Sequence, residues 1–174
     1  MELQFLYALQ ELHGTILDKI MIGITTLGDG GIFWLALALV LAIIPKTRKC
    51  GISIFAAMAF SYIIGNLGLK PLIARPRPFT VATDVSLIIE KPGEFSFPSG
   101  HTLHAFTAAT VIFGYYRKPG TLAYVLAALI AFSRMYLFVH YPTDILAGAV
   151  LGVVDALLIC YLLKKYVWKM KKEK

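Results

Sequence analysis

The stretch Phe95-Ser96-Phe97-Pro98-Ser99-Gly100-His101-Thr102 ends a polar loop and opens an apolar run. Pro98 is excluded from a helix interior but fits its edge, and Ser99 is a favourable N-cap residue. We therefore predict that a helix begins here, and its first backbone N–H groups have no partner within the helix. Because these donors and the positive end of the helix dipole attract anions, the stretch indicates a phosphate site beside His101. The alternative is a capped helix with an incidental histidine.

Apolar residues dominate the composition of the 174-residue chain. Hydrophobic residues make up 58% and charged residues 16% of the sequence, and the mean hydropathy is +0.72. A soluble domain is about half apolar and about one quarter charged. We therefore predict an all-α integral membrane protein in which residues 1–174 form a single domain. The N-terminus has no small-residue cleavage site, so we expect no removable signal peptide. Cys50 and Cys160 have no motif spacing and are expected to be free thiols.

The net charge of +7 is concentrated at the ends of apolar runs. Eleven of the 17 lysines and arginines lie in three clusters, at residues 46–49, 117–118 and 164–174. This distribution is typical of the positive-inside rule for membrane proteins and argues against a nucleic-acid partner. We place the three clusters on the cytoplasmic face, with residues 164–174 as a basic cytoplasmic tail.

Five apolar runs predict transmembrane helices, at residues 32–44, 52–69, 100–116, 122–139 and 143–163. We expect Lys70-Pro71 to end the second run, and Arg117-Lys118-Pro119-Gly120 to close the third.

The N-terminal segment, residues 1–29, has a mixed pattern. Residues 3–27 predict an amphipathic helix, or a pair of helices broken at Gly14, that either lies at the membrane interface or forms a sixth span. His13 in this segment is interpreted as incidental.

The basic clusters alternate along the chain, so the connections between them share the opposite face. The polar loop at residues 70–98 therefore lies on the extracytoplasmic side, together with His101, Arg134 and His140. A helix from residue 101 to 116 descends about 24 Å at 1.5 Å per residue, and the return to Arg134 climbs a similar height. We expect His101 and Arg134 to reach a similar depth.

Arg134 and the pair His140 and Asp144 carry the remaining chemical signal. Arg134 interrupts an apolar run, where a charge is expensive unless it lines a cavity or has a partner. The alternative is an arginine that extends to the membrane surface. Asp144 follows His140 by four residues, and such a carboxylate can orient an imidazole and stabilise its cation. The alternative is an acid that favours a helix start.

Two histidines, an acid and several fixed cations near a helix N-terminus point to a phosphate. The cations can neutralise the charge of a transferring phosphoryl group, while one histidine attacks and the other protonates the leaving oxygen. A metal site is the rival interpretation, because the side chains include zinc ligand types, namely His101, His104, His140 and Asp144. The neighbouring cations would repel a dication.

Three spaced motifs resemble the type 2 phosphatidic acid phosphatase family, which is related in its active site to vanadium haloperoxidases and glucose-6-phosphatase. The motifs are Lys70 six residues before Arg77-Pro78, then Pro98-Ser99-Gly100-His101, then Ser133-Arg134 with His140 and Asp144. All three occur in the family's order and without substitution. They cover residues 70–144, and the helical layout extends the resemblance over most of the chain.

The resemblance implies a role for each motif residue. His140 would be a nucleophile that forms a phosphohistidine, Asp144 would orient it, and His101 would be the general acid. The implied phosphate ligands are Lys70, Arg77, Ser99, the N–H of Gly100, and Arg134. No metal or other cofactor is implied.

Two further residues have no assigned family role. Arg75-Pro76 duplicates the Arg-Pro pair, and the family spacing leaves Arg75 with either a headgroup or a structural role. His104 is interpreted as a packing residue or as support for the site.

The resemblance implies a membrane lipid phosphatase of the cell membrane whose site opens on the extracytoplasmic face. The expected substrates are undecaprenyl pyrophosphate first, then phosphatidylglycerophosphate, phosphatidate or lipid A phosphate. The alternatives are a non-catalytic lipid-binding membrane protein and a transporter with Arg134 in its pathway.

Overall fold

The structure is a computed structural model that describes residues 1–168, and within this range every regular element is helical. The predicted all-α fold is therefore confirmed. The α-helices of this range are α1 (Glu2–Gln10), α2 (Thr15–Thr26), α3 (Ile32–Ile43), α4 (Arg48–Ser61), α5 (Lys70–Ile73), α6 (Pro78–Val81), α7 (Gly100–Tyr115), α8 (Arg117–Tyr136) and α9 (Pro142–Leu162). A 3₁₀ turn at Asp29–Gly31 precedes α3, and π-helical segments follow α4 and α9, at Tyr62–Leu69 and Leu163–Val167.

The N-terminal segment is a pair of helices. Gly14 is the N-cap of α2 and has an extended backbone, so α1 and α2 are separated at the glycine that the sequence indicated. His13, which was interpreted as incidental, does not line the cavity but has a packing role. Its ring stacks on that of Tyr136 with 4.4 Å between centroids, and its Nε2 lies 3.1 Å from the Tyr136 carbonyl oxygen. His13 thus fastens the segment to the end of α8.

Three helical stretches among the described residues are long and apolar enough to cross a membrane. They are Thr15–Ile43, Arg48–Val81 and Pro142–Val167. Helix α7 has 16 residues, about 24 Å of rise, which is shorter than a hydrocarbon core of about 30 Å. The structure therefore supports a membrane protein, while the number of five or six spans stays a prediction.

The expected helix end at Lys70-Pro71 is wrong. The chain stays helical through Ile73, because the π-helical segment before it joins α4 to α5. In that segment the N–H of Lys70 donates to the carbonyl of Gly65, five residues earlier. This wider turn accommodates a proline that would clash in a regular helix interior.

The expected closing turn at residues 117–120 is the first turn of α8 instead. Pro119 needs no N–H there, because the first N–H groups of a helix have no internal partner. Gly120 packs directly on the backbone of Phe113, so α7 and α8 meet as a tight hairpin around Tyr116.

Helix α7 is the centre of the bundle, packed between α4, α8 and α9. Small residues set its distance from α9. A Cβ at Gly148 would lie 2.8 Å from the Ser99 carbonyl oxygen, and one at Gly152 would lie 2.6 Å from that of Leu103. Such small-residue spacing lets membrane helices approach closely. The start of α7 is thereby held against the start of α9, where Asp144 lies.

The basic clusters meet at one end of the bundle. The hydroxyl of Tyr116, next to Arg117, donates to the Lys46 carbonyl at 3.2 Å, and the Lys49 ammonium lies 5.5 Å from the ring centroid of Trp168. The polar loop covers the other end, where Phe79, Leu87 and Ile89 pack on residues 136–139. Residues 169–174 of the predicted tail lie outside the described residues.

Candidate active site

A cavity of about 550 Å³ opens at the end of the bundle covered by the polar loop. Six of the eight residues predicted for the site line it, namely Lys70, Arg77, Gly100, His101, Arg134 and His140. The other two, Ser99 and Asp144, are fully buried behind its wall. Residues from four separate parts of the sequence thus converge at one site, as the predicted common face requires.

Two arginines are held at the cavity by neutral oxygen atoms. Arg77 Nε donates to the Glu94 carbonyl at 2.6 Å, and Nη1 donates to the Val139 carbonyl at 2.9 Å. Arg134 Nη1 donates to Thr25 Oγ1 at 2.5 Å, and within the described residues its buried Nε has no partner. Within residues 1–168, neither guanidinium has its charge cancelled by a directly bonded carboxylate. An anionic ligand would supply the missing compensation.

His140 directs an unprotonated Nε2 toward Arg77 at the cavity wall. Its Nε2 lies 3.2 Å from Nη1 of Arg77, and an arginine can only donate, so Nε2 must accept. The proton of the neutral ring is then on Nδ1, which faces Asp144 Oδ2 at 3.5 Å. Burial lowers the pKa of His140 to about 3, so the ring is neutral near pH 7. A neutral imidazole with Nε2 unprotonated is the form that a nucleophile requires.

Asp144 is fixed by a dense set of donors. Its Oδ2 accepts from Ser96 Oγ at 2.5 Å and from the Tyr141 N–H at 2.9 Å, and its Oδ1 accepts from Arg75 Nη1 at 2.6 Å. The bond to Tyr141 is also part of the capping box of α9. Asp144 is therefore both the helix-start acid and the carboxylate beside His140, so the two interpretations from the sequence hold together.

His101 pairs with Asp29 across the mouth of the cavity. Its Nε2 lies 2.8 Å from Asp29 Oδ1, and both groups are accessible to solvent. Asp29 lies in the short turn before α3, where Gly30 and Gly31 have positive φ values of 57° and 70°. That backbone region suits glycine and allows the turn to bring Asp29 onto α7.

Glu94 from the polar loop forms an ion pair with the Lys70 ammonium. The two groups are 2.6 Å apart, and the hydrogen bond from Lys70 is the main reason that the pKa of Glu94 is lowered. The carboxylate is thus an anion at the place where the sequence predicts a phosphate oxygen. An incoming phosphate would have to displace Glu94 from Lys70.

Three further residues complete the account of the predicted positions. The hydroxyl of Ser99 accepts from Thr102 Oγ1 at 3.1 Å and does not reach the cavity wall, so its phosphate role stays a prediction. His104 lines the cavity and contacts Gly31. These contacts favour a packing role for His104 beside the site. Asn66 also lines it, and its Oδ1 is buried with no partner among the described residues.

Sequence reasoning missed Asp29, Ser96 and Glu94 as site residues. Asp29 is 72 positions from His101 and Ser96 is 48 positions from Asp144, so no local spacing connects either pair. Ser96 does adjoin the Pro-Ser-Gly-His motif, which was the one available signal. Glu94 lies in the polar loop at residues 70–98, where no motif marks it.

Metal binding has no obvious donor set in the described part of the chain. No group of three or more His, Cys, Asp or Glu side chains there is placed to hold an ion. The four side chains of the rival zinc set do not point to one place, because His140 faces Asp144 while His101 faces Asp29.

A second, apolar cavity of about 350 Å³ adjoins the first. The two share Gly30, Tyr62 and His104. Beyond these residues the second cavity is lined by side chains of α3 and α4, namely Leu35, Phe55, Met58 and Ala59. A polar site with an attached apolar cavity suits an amphiphile.

Comparisons with known proteins establish the family. A family model described as the PAP2 superfamily matches residues 51–168, and the chain belongs to this family. The match confirms the resemblance drawn from the three motifs. The matched range does not include α1, α2 and α3, although these helices pack around the site.

Relatives with assigned names span most of this chain. A bacitracin transport permease protein BcrC of Bacillus licheniformis is 38% identical over 130 residues, which is 73% of this chain and 64% of that protein. An undecaprenyl-diphosphatase of Sulfolobus acidocaldarius is 33% identical over 120 residues, 68% of this chain and 58% of that protein. The chain thus spans less than two thirds of the length of either relative.

The fold also matches a solved structure. The crystal structure of Aquifex aeolicus LpxE superposes with a TM-score of 0.80 and 28% sequence identity, covering 92% of this chain and 94% of that one. The similarity therefore extends beyond the family match into the N-terminal helices.

Proposed function

We propose that this protein is a membrane lipid phosphatase that removes a phosphate through a phosphohistidine intermediate. One observation carries the proposal: two arginines, two histidines and the start of α7 converge on a single cavity that continues into an apolar one. Its position in the PAP2 superfamily and the phosphatase names among its relatives support the same activity.

The phosphate is bound by fixed positive charge. Arg77 and Arg134 face the cavity, and the backbone N–H of Gly100 at the start of α7 adds a donor. Lys70 and Ser99 are the remaining predicted ligands, Lys70 after it releases Glu94. Because these groups are in place before reaction, they can neutralise the equatorial oxygens of a transferring phosphoryl group without reorganising.

The first step transfers the phosphoryl group to His140. The Nε2 lone pair forms a bond to phosphorus as the bond between phosphorus and the lipid-side oxygen breaks. Asp144 stabilises the positive charge that develops on the ring through Nδ1–H. His101 gives its proton to the departing oxygen.

The second step releases phosphate. A water molecule attacks the phosphorus, and the P–N bond breaks with its electron pair returning to Nε2 of His140. Neutral His101 takes the proton of the attacking water and is thereby restored as the acid. Asp29 Oδ1 lies 2.8 Å from Nε2 of His101 and can accept a hydrogen bond from the ring once it is protonated.

The first-choice substrate is undecaprenyl pyrophosphate, as in the name of the Sulfolobus relative. Phosphatidylglycerophosphate, phosphatidate and lipid A phosphate are the other candidates. The phosphate would lie beside Arg134 and His140, and the lipid chain would enter past Tyr62 into the apolar cavity. The positions of the basic clusters support a site on the extracytoplasmic face of the cell membrane.

The direct test is an assay of phosphate release with purified protein in detergent. The panel should contain the four lipid phosphates, with and without excess EDTA, and a protein carrying His140→Ala. We expect EDTA-resistant release that is lost in the variant. No release from any lipid would refute the proposal and favour lipid binding. Because one relative has the name of a transport permease, uptake into vesicles without release would favour transport.

A further inference from the structure

Arg75 lies outside the cavity, and its side chain contacts three residues at the start of α9. Its Nη1 donates to Thr143 Oγ1 at 2.7 Å and to Asp144 Oδ1 at 2.6 Å. Its guanidinium carbon lies 3.9 Å from the ring centroid of Tyr141. The Arg75 carbonyl accepts from the Ser96 N–H at 2.8 Å. Ser96 in turn donates to Asp144, so both the main chain and the side chain of Arg75 hold that carboxylate.

Glu2 from α1 completes this arrangement. Its Oε2 accepts from Arg75 Nη2 at 2.7 Å, and its Oε1 accepts from the Thr143 N–H at 3.0 Å and from Thr143 Oγ1 at 2.8 Å. Glu2 therefore binds both the arginine and the helix turn that carries Asp144. Helix α1 lies outside the residues matched by the family, so this contribution comes from this chain's N-terminal segment.

The charge of Asp144 explains why such support is needed. The side chain of Asp144 is fully buried, and a buried carboxylate is costly unless it is paired and hydrogen-bonded. Among the described residues, Arg75 is the arginine or lysine that bonds to it directly, while Arg77 contacts His140 and Arg134 lines the same cavity. Without Arg75, Asp144 and His140 together would hold a proton more readily, and His140 would be less often neutral.

We propose that Arg75 and Glu2 are positioning residues for His140, acting through Asp144. The inference rests on the proposed function in taking His140 as the nucleophile. Arg75 keeps Asp144 ionised and in place, and Glu2 keeps the Arg75 side chain against α9. The headgroup role left open by the sequence is not the one that these contacts favour.

The test compares Arg75→Met, Arg75→Lys and Glu2→Gln with Glu11→Gln as a matched control in the same N-terminal segment. In Arg75→Met we expect kcat to fall about 10- to 100-fold with KM within about twofold, as for other supports of a reacting side chain. The acid limb of the pH–rate profile should move up by about one pH unit, because removing a neighbouring cation raises the proton affinity of the pair. Arg75→Lys retains the charge and should keep the acid limb near that of the wild type.

A double-mutant cycle separates positioning from general stability. Glu2→Gln should lower kcat in the wild-type background and have little further effect beside Arg75→Met, because its influence passes through Arg75. Wild-type kcat in Arg75→Met, a rise in KM alone, or additive effects of the two changes would overturn the inference. Arg75→Lys and Glu2→Gln keep Asp144 near a positive charge and carry the test if Arg75→Met does not fold.

A readout without turnover distinguishes this inference from the proposed function. NMR of histidine labelled with ¹⁵N follows the protonation of His140 directly in each variant. Arg75→Met should move that titration to higher pH, and Glu11→Gln should not. An unmoved titration would refute the positioning role even in an active phosphatase. If the His140 titration moves but the protein has no lipid phosphatase activity, the proposed function is refuted and the positioning role is not.

Discussion

The two histidines of the cavity have the same kind of partner in opposite surroundings. His140 and Asp144 are 2% and 0% exposed, and four groups contact the pair, namely Arg75, Arg77, Ser96 and the Tyr141 N–H. His101 and Asp29 are 19% and 57% exposed, and their mutual contact is a single one of 2.8 Å. A nucleophile needs a fixed direction of attack, whereas a general acid gives a proton to the departing oxygen and takes one from the attacking water in each cycle. The difference in burial therefore matches the proposed division of labour.

The largest effect is expected at the buried histidine. His140→Ala removes the covalent route and should abolish turnover for every substrate, including activated esters. His13→Gln is the matched control, because His13 packs on Tyr136 away from the cavity and should leave turnover intact. Steady-state phosphate release measures both. Appreciable turnover by His140→Ala would contradict the assignment of His140 as the nucleophile.

The next effect concerns the partner of the buried histidine. Asp144→Asn leaves the ring of His140 in place but takes away the carboxylate that orients it and stabilises its cation. We expect kcat to fall on the order of 10⁴-fold, as when a triad aspartate is changed to asparagine. The change should appear in kcat for lipid and activated substrates alike. A loss below about tenfold would show that Asp144 is only a helix-start residue.

The half-buried histidine, His101, should show a loss that depends on the leaving group. His101→Ala removes the proton donor and should cost about 10²- to 10⁴-fold with a lipid substrate. The cost should shrink for a nitrophenyl phosphate, whose leaving oxygen needs little protonation. Kinetics with both substrates test this dependence. An equal loss on the two substrates would mean that His101 acts in binding or attack instead.

The smallest effect is expected at the exposed carboxylate. Asp29→Asn keeps the hydrogen-bonding shape but removes the charge that favours protonated His101. We expect a loss of about tenfold with a lipid substrate, at the low end for a supporting residue. Little change is expected with nitrophenyl phosphate. Glu90→Gln, which removes a charge near the same histidine without contacting it, is the control. A loss as large as that of Asp144→Asn would contradict the expected difference between the His140–Asp144 pair and the His101–Asp29 pair.

The sequence anticipated the components of the site because the motif residues carry their own local signals. The helix start at Gly100 followed from Pro98 and Ser99, and the common face followed from the alternation of basic clusters. Residues of the cavity wall could therefore be named without a structure.

The supporting contacts could not be named in this way. Glu2 and Arg75 are 73 positions apart, and Asp29 and His101 are 72 apart, so only the packing of the bundle brings each pair together. The helix boundaries at Pro71 and Pro119 were also misjudged. Proline breaks a helix only in a regular helix interior. Pro71 instead follows a π-helical segment, and Pro119 lies in the first turn of α8.

The central claim is that the buried His140 carries the phosphoryl group and the half-buried His101 carries the proton. Rapid quench of the wild-type protein with a lipid phosphate labelled with ³²P, followed by peptide mapping, tests it most directly. The account predicts an acid-labile phosphate on His140 that accumulates within the first turnover. It also predicts that the same adduct forms in His101→Ala from nitrophenyl phosphate. Label on His101, or no label on His140 in an active protein, would contradict the account.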